Sequence, residues 1–126
     1  MFKNFCAVSV DIHSMPYLNP GSNFILKPWD RLGTVVLFTQ SERFPVQIVD
    51  DMHASARAYV LPLDHPFASI TDAQGRFQIG HLPVGTHQFR VWHERFGYLE
   101  RAWNVEVVGQ TTTALTPLRV SATKLK

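Results

Sequence analysis

Between Tyr59 and Tyr98 the segments TDAQGRF, GHLPVG and VWHERFGY interrupt short alternating apolar runs. Asp72 to Gly75 and Pro83 to Gly85 carry the residue types that set turns. Asp bonds back to its own loop backbone, Pro presets φ, and Gly takes positive φ without a Cβ penalty. The runs between these turns are four to nine residues long, which is strand length. A chain punctuated this densely has no room for helices across its middle, and the pattern predicts a small all-β sandwich.

The 126 residues match a common domain size, and 45% of them are apolar, enough to fill a core. Charged residues make up 17%, and the formal charge of +2 is spread without a run of Lys or Arg. A nucleic-acid footprint needs a basic stripe, so no nucleic-acid partner is predicted. No apolar stretch approaches the roughly 20 residues that span a bilayer. The single cysteine, Cys6, excludes an internal disulfide and a Cys-clustered metal site, and is expected as a small buried hydrophobe.

Period-2 alternation over Phe5 to Ile12 sets Cys6, Val8, Val10 and Ile12 on one face. Met15 to Asn23 reads as loop, and Phe24 to Leu26 as a short extended piece stopped by Pro28. Gly33 to Phe38 is nearly all apolar and predicts a strand covered on both faces. Phe44 to Val49 places Phe44, Val46 and Ile48 together. Arg57 to Leu63 leaves neither face polar and predicts a central strand. After a turn-like Met52 to Ala56, the runs Ala68 to Ile70, Phe77 to Ile79 and His87 to Trp92 predict a meander. Trp103, Val105 and Val107 point inward, with Asn104 and Glu106 outward; Leu115 to Val120 closes the sandwich. No segment carries the apolar stripe of a helix.

Chemistry-bearing residues are few. Asp50, Asp51 and His53 form a local donor set for a hard or borderline divalent cation, or simply a polar turn between two strands. His87 and His93 share parity with Phe89 and Val91, which turns both rings inward, either toward a backbone carbonyl or as ligands. Trp92 falls on the opposite parity with Gln88, Arg90 and Glu94. An aromatic ring on a polar strand face is a binding platform for a sugar or a protein, unless the Phe96 to Tyr98 loop covers it. Trp92, Arg90 and Glu94 are therefore the binding candidates. Asp64 and His65 make an acid–base dyad or a local hydrogen-bonded pair. GxSxG, P-loop, HExxH and glycine-rich dinucleotide motifs are absent, and no nucleophile, base and orienter can be named together, so no enzyme is predicted.

SERFPVQIVDDMHASARAYVLPLDHPFASITDAQGRFQIGHLPVGTHQFRVWHERFGYL, together with KNFCAVSVDIHSMPYLNPGSN upstream, resembles a family of exported bacterial cupredoxin-like proteins. In these a blue-copper-type half runs into a carboxypeptidase regulatory, or transthyretin-like, stretch. The resemblance implies a Greek-key or immunoglobulin-like β-sandwich spanning 1–126 as one unit. Residues 1–56 are then a partial cupredoxin-like part, 57–120 the regulatory-like part and 121–126 a tail. The family ends its copper half with Cys-x-x-His-x-x-Met after an upstream His. Here Asp50 stands at the Cys position, His53 keeps the His, Ala56 replaces the Met and Val10 the upstream His. Type 1 copper is defined by its thiolate, so the resemblance implies a degenerate copper site and no resident cofactor. Lys3 and Asn4 match a point well inside the family's first half, so the strands before it and the export signal are missing from this sequence: either the gene start lies further upstream, which implies an exported protein, or the chain is a decayed paralogue whose location is open. The function this predicts is a non-catalytic accessory or binding module for a polysaccharide or a protein. The alternative is a metal-binding, copper-type redox protein with an altered ligand set of Asp50, His53 and either His13 or His65.

Overall fold

The computed structural model describes residues 1–121; of the expected tail, 122–126 lie outside the described residues. All regular structure among the described residues is strand, in two antiparallel sheets. The chain divides into two compact units, Met1–Pro66 and Phe67–Lys126.

The first unit holds β1 (Val10–Met15), β2 (Ser22–Leu26), β3 (Val46–Asp50) and β4 (Arg57–Val60) in the order β2-β1-β3-β4. Register sets the two faces. Ile12 lies opposite Asp50 and Phe24, Ser14 opposite Ile48 and Ser22, and Val46 opposite Val60. That face carries the core, with Leu26, Val46 and Ile48 buried beside two polar residues, Ser14 and Asp50. Ser14 is tolerated there because its Oγ is 2.7 Å from Ser22 Oγ across the ladder. The other face, with Asp11, His13, Asn23, Gln47 and Tyr59, is half-buried or exposed.

Expected strands fail here for identifiable reasons. The first strand begins at Val10 instead of Phe5, and Phe5, Cys6 and Val8 are exposed, so Cys6 is not the buried hydrophobe expected. The side chain of buried Asn4 takes over this segment. Its Nδ2 donates to the carbonyls of Val8 (2.7 Å), Lys27 (3.0 Å) and Leu26 (3.5 Å), and its Oδ1 accepts from the Cys6 N–H (2.9 Å). Such side-chain bonding competes with a strand ladder. Gly33 to Phe38 forms no strand, only a bridge between Thr34 and Phe2. Gly33 sits at φ +74°, and Val35 and Leu37 are exposed. β4 is an edge strand, not a central one, and it stops before Pro62, which has no N–H for a ladder. Phe44 leaves the buried set of Val46 and Ile48; it is 42% exposed, its ring 5.5 Å from that of Tyr17.

The second unit is a hairpin, β5 (Gly85–His93) with β6 (Gly97–Val107). Phe89 lies opposite Trp103 and His87 opposite Val105, so these residues form the inner face, with Val105 buried. Asn104 and Glu106 face out, as the alternation predicts. The expected meander does not form. The Asp72 turn closes, with the Asp72 N–H on the Arg76 carbonyl and the Gly75 N–H on that of Asp72, both at 2.9 Å, but Ala68 to Ile70 and Phe77 to Ile79 do not pair. Leu115 to Val120 is likewise not a strand, and Pro117 within it removes a donor. Among the described residues no helix is long and apolar enough to cross a membrane.

Candidate functional site

β3 ends at Asp50, and the chain turns back through residues 51–56 into β4. The turn is backbone-bonded, with the His53 N–H on the Asp50 carbonyl (3.1 Å) and the Ala56 N–H on that of His53 (2.8 Å). Asp50 is buried, and its carboxylate is filled by local donors. Oδ1 accepts the N–H groups of Asp11 (2.9 Å) and Met52 (3.0 Å), and Oδ2 lies 2.5 Å from His53 Nδ1. Burial pushes this carboxyl up; the Asp11 N–H, the His53 ring and the Met52 N–H outweigh it and hold it below its ordinary value of 3.8. The carboxylate thus ties the turn to β1.

Asp51 serves a second pair, its Oδ2 3.1 Å from His13 Nδ1, while its N–H bonds the Asp11 carbonyl at 2.9 Å. His13 lies on the face of β1 opposite that of Ile12 and Asp50, so the two His–carboxylate pairs do not share one donor set. Asp11 Oδ1, shielded from solvent, has no donor. Among the described residues no group of three His, Cys, Asp or Glu side chains is arranged to hold a metal ion. Val10 opens β1, Ala56 enters the turn through its backbone, and Cys6 is outside the sheet. These residues do not fit type 1 copper: there is no thiolate at the turn, and the Asp50 carboxylate is occupied by local donors. His65, with Asp64, is exposed in the loop that ends the first unit.

On the hairpin, His87 is half-buried, with Nε2 2.7 Å from the Pro83 carbonyl, the backbone-carbonyl role among those expected for it. His93 does not turn inward. It is exposed, its Nδ1 accepts the Arg95 N–H at 3.1 Å, and its ring stacks on Phe96 with centroids 4.9 Å apart. Trp92 is half-buried and lies directly opposite Tyr98; Arg90 and Glu94 are exposed. Pairing moves from Phe89–Trp103 to Val91–Glu100 and then to Trp92–Tyr98, so β6 carries two extra residues. These bulges bring Tyr98 opposite Trp92, the place that unbroken register gives to Glu100. The Arg101 guanidinium sits 5.1 Å from the Tyr98 ring centre, and that of Arg95 5.6 Å from Phe96.

Two features escaped sequence reasoning. One is the bulged register of β6, which period-2 counting cannot detect. The other is a buried polar pair, Asn19 and Glu42, fastening residues 17–19 to 39–42. Neither residue stands out in a polar loop, and no local spacing links them. In comparisons with family profiles, curated proteins and solved structures, nothing matches this chain.

Proposed function

We propose that this chain is a non-catalytic β-rich accessory or binding module, related to the exported cupredoxin-like proteins it resembles and without their copper chemistry. The observation that carries this reading is the state of Asp50. A buried carboxylate filled by two backbone N–H groups and one imidazole holds a turn together, and it has little acceptor capacity left for a cation. Greek-key or immunoglobulin-like topology belongs to the same proposal, as do an exported location and a polysaccharide or protein partner. Metal analysis of the purified chain after copper loading and dialysis is the test. The expected result is far less than one equivalent. One tightly held equivalent, lost in His53→Ala, would overturn the reading in favour of a metal-binding redox protein with altered ligands.

A further inference from the structure

The solvent face of the β5–β6 hairpin changes character along its length. Near the open end it presents Thr86 opposite Glu106, then Gln88 opposite Asn104, with the two amides 3.4 Å apart. Near the turn it presents Arg90 and then Trp92, whose cross-strand neighbour is Tyr98. Strand parity alone would set Tyr98 and Glu100 on one face. The extra residue between their pairings sends Glu100 opposite Val91 and puts Tyr98 opposite Trp92. Two aromatic side chains directly opposite on an antiparallel pair have Cβ atoms about 5 Å apart, close enough to form one continuous surface.

Charge at this end is one-sided. Arg101 is held over the Tyr98 ring at 5.1 Å, exposed Arg90 precedes Trp92 by two positions on the same strand face, and Arg95 in the turn lies 5.6 Å from the Phe96 ring. Of the two nearby acids, Glu100 is turned back on its own chain, Oε1 accepting the N–H groups of Arg101 (3.0 Å) and Ala102 (3.3 Å). Glu94, in the turn, is the remaining carboxylate. A guanidinium fixed against a ring matches a carboxylate in a bidentate fork, and the ring beside it offers a flat apolar surface. The amide pair further along the same face donates and accepts, as hydroxyl groups require.

We propose that this face binds an acidic polysaccharide, with a uronate ring stacked on Trp92 and carboxylates held by Arg90 and by Arg101, which the Tyr98 ring positions. The assignment rests on the binding-module reading and names its ligand class. An acidic polypeptide such as poly-glutamate would satisfy the arginines and the amides but has no ring to stack on Trp92.

Affinity electrophoresis of the full chain in gels containing polygalacturonate, a neutral galactan or poly-glutamate tests this. Polygalacturonate retards the protein, the other two do not, and added salt weakens the retardation. Arg101→Gln and Arg90→Gln each raise the apparent Kd about tenfold, and Trp92→Ala does the same. Both arginines are exposed, so their variants keep the fold and read the site even where Trp92→Ala does not fold. Equal retardation by poly-glutamate, or by the neutral galactan, overturns the assignment, as does retardation by polygalacturonate that the arginine variants leave unchanged. Retardation by none of the three overturns this ligand class alone; failure of the module reading shows instead as an equivalent of bound copper.

Discussion

Asn19 and Glu42 are bonded side chain to side chain at 2.8 Å, and each also fastens the backbone around the other. Glu42 accepts three consecutive N–H groups, from Tyr17 (3.2 Å), Leu18 (2.9 Å) and Asn19 (3.0 Å). Asn19 Oδ1 accepts those of Thr39 (2.7 Å) and Gln40 (3.0 Å), and its Nδ2 donates to the Gln40 carbonyl (2.9 Å). Both side chains are buried, so two loops with few buried apolar residues are held by a closed polar network. Tyr17 and Leu18 are thereby presented outward on an immobilised backbone.

This network makes stability acid-sensitive. Burial raises the Glu42 carboxyl, and the Asn19 amide with the three N–H groups outweighs it, leaving the folded value below the ordinary 4.5. The folded state then binds fewer protons than the unfolded chain in that window. The contribution is complete above the unfolded value and is lost as pH falls through the folded one. Urea unfolding followed from pH 7 to about pH 3 should show an acid limb that is shallower in Glu42→Gln. An identical limb in both proteins would exclude Glu42 as a source.

At the β3–β4 turn the backbone bonds of Asp50 outrank its histidine. Asp50→Ala strands the N–H groups of Asp11 and Met52 and should cost about 2 kcal/mol. His53→Ala removes one partner whose side chain is 43% exposed and should cost less than about 1 kcal/mol. Equal losses in chemical denaturation would mean that the carboxylate–imidazole pair, not the backbone clamp, holds the turn.

Gly33 and Gly75 share nearly the same backbone, φ +74° and +76°, in different surroundings. A Cβ on Gly33 would lie 2.1 Å from the Phe2 carbonyl oxygen, whereas one on Gly75 meets nothing within 4 Å. Gly75→Ala should therefore lose about 1 kcal/mol, from the left-handed conformation alone. Gly33→Ala should lose about 3 kcal/mol, since the N-terminal segment must also shift. Gly75→Val, with its β-branch, should exceed Gly75→Ala. Similar melting temperatures for the two alanine variants would refute the close approach of Phe2 to Gly33.

Thiolate-to-copper charge transfer needs a cysteine ligand, and the turn offers Asp50 instead. Cu(II) added to the wild type should give no intense band at the red end of the visible spectrum. A blue wild-type protein would make exposed Cys6 a ligand and would contradict the proposed match of Asp50 to the cysteine of the cupredoxin-like proteins. The Asp50→Cys, Ala56→Met, Val10→His triple variant is the converse probe. The same substitutions also remove the carboxylate clamp, so it should melt below the wild type whether or not it turns blue.

Local chemistry along the chain determined the absence of helix-forming segments, the turns at Asp72 to Gly75 and Met52 to Ala56, and the alternation of Trp103 to Val107. Each depends on a residue and its near neighbours, through Asx bonding, positive φ at Gly or period-2 side-chain placement. Which apolar runs become strands was decided by the tertiary structure. Gly33 to Phe38, Phe77 to Ile79 and Leu115 to Val120 have strand composition, yet a strand exists only where a second one supplies its hydrogen bonds. The candidate sites divide in the same way. The proximity of Asp50 to His53 follows from a spacing of three residues in a turn, whereas the claim of Asp11 on that carboxylate spans 39 positions of sequence. Trp92 could be placed on the outer face of its strand by counting. Its meeting with Tyr98 could not, because two extra residues in β6 slip the register so that Tyr98 takes the place opposite Trp92 that unbroken pairing gives to Glu100, and no composition rule marks where a strand bulges.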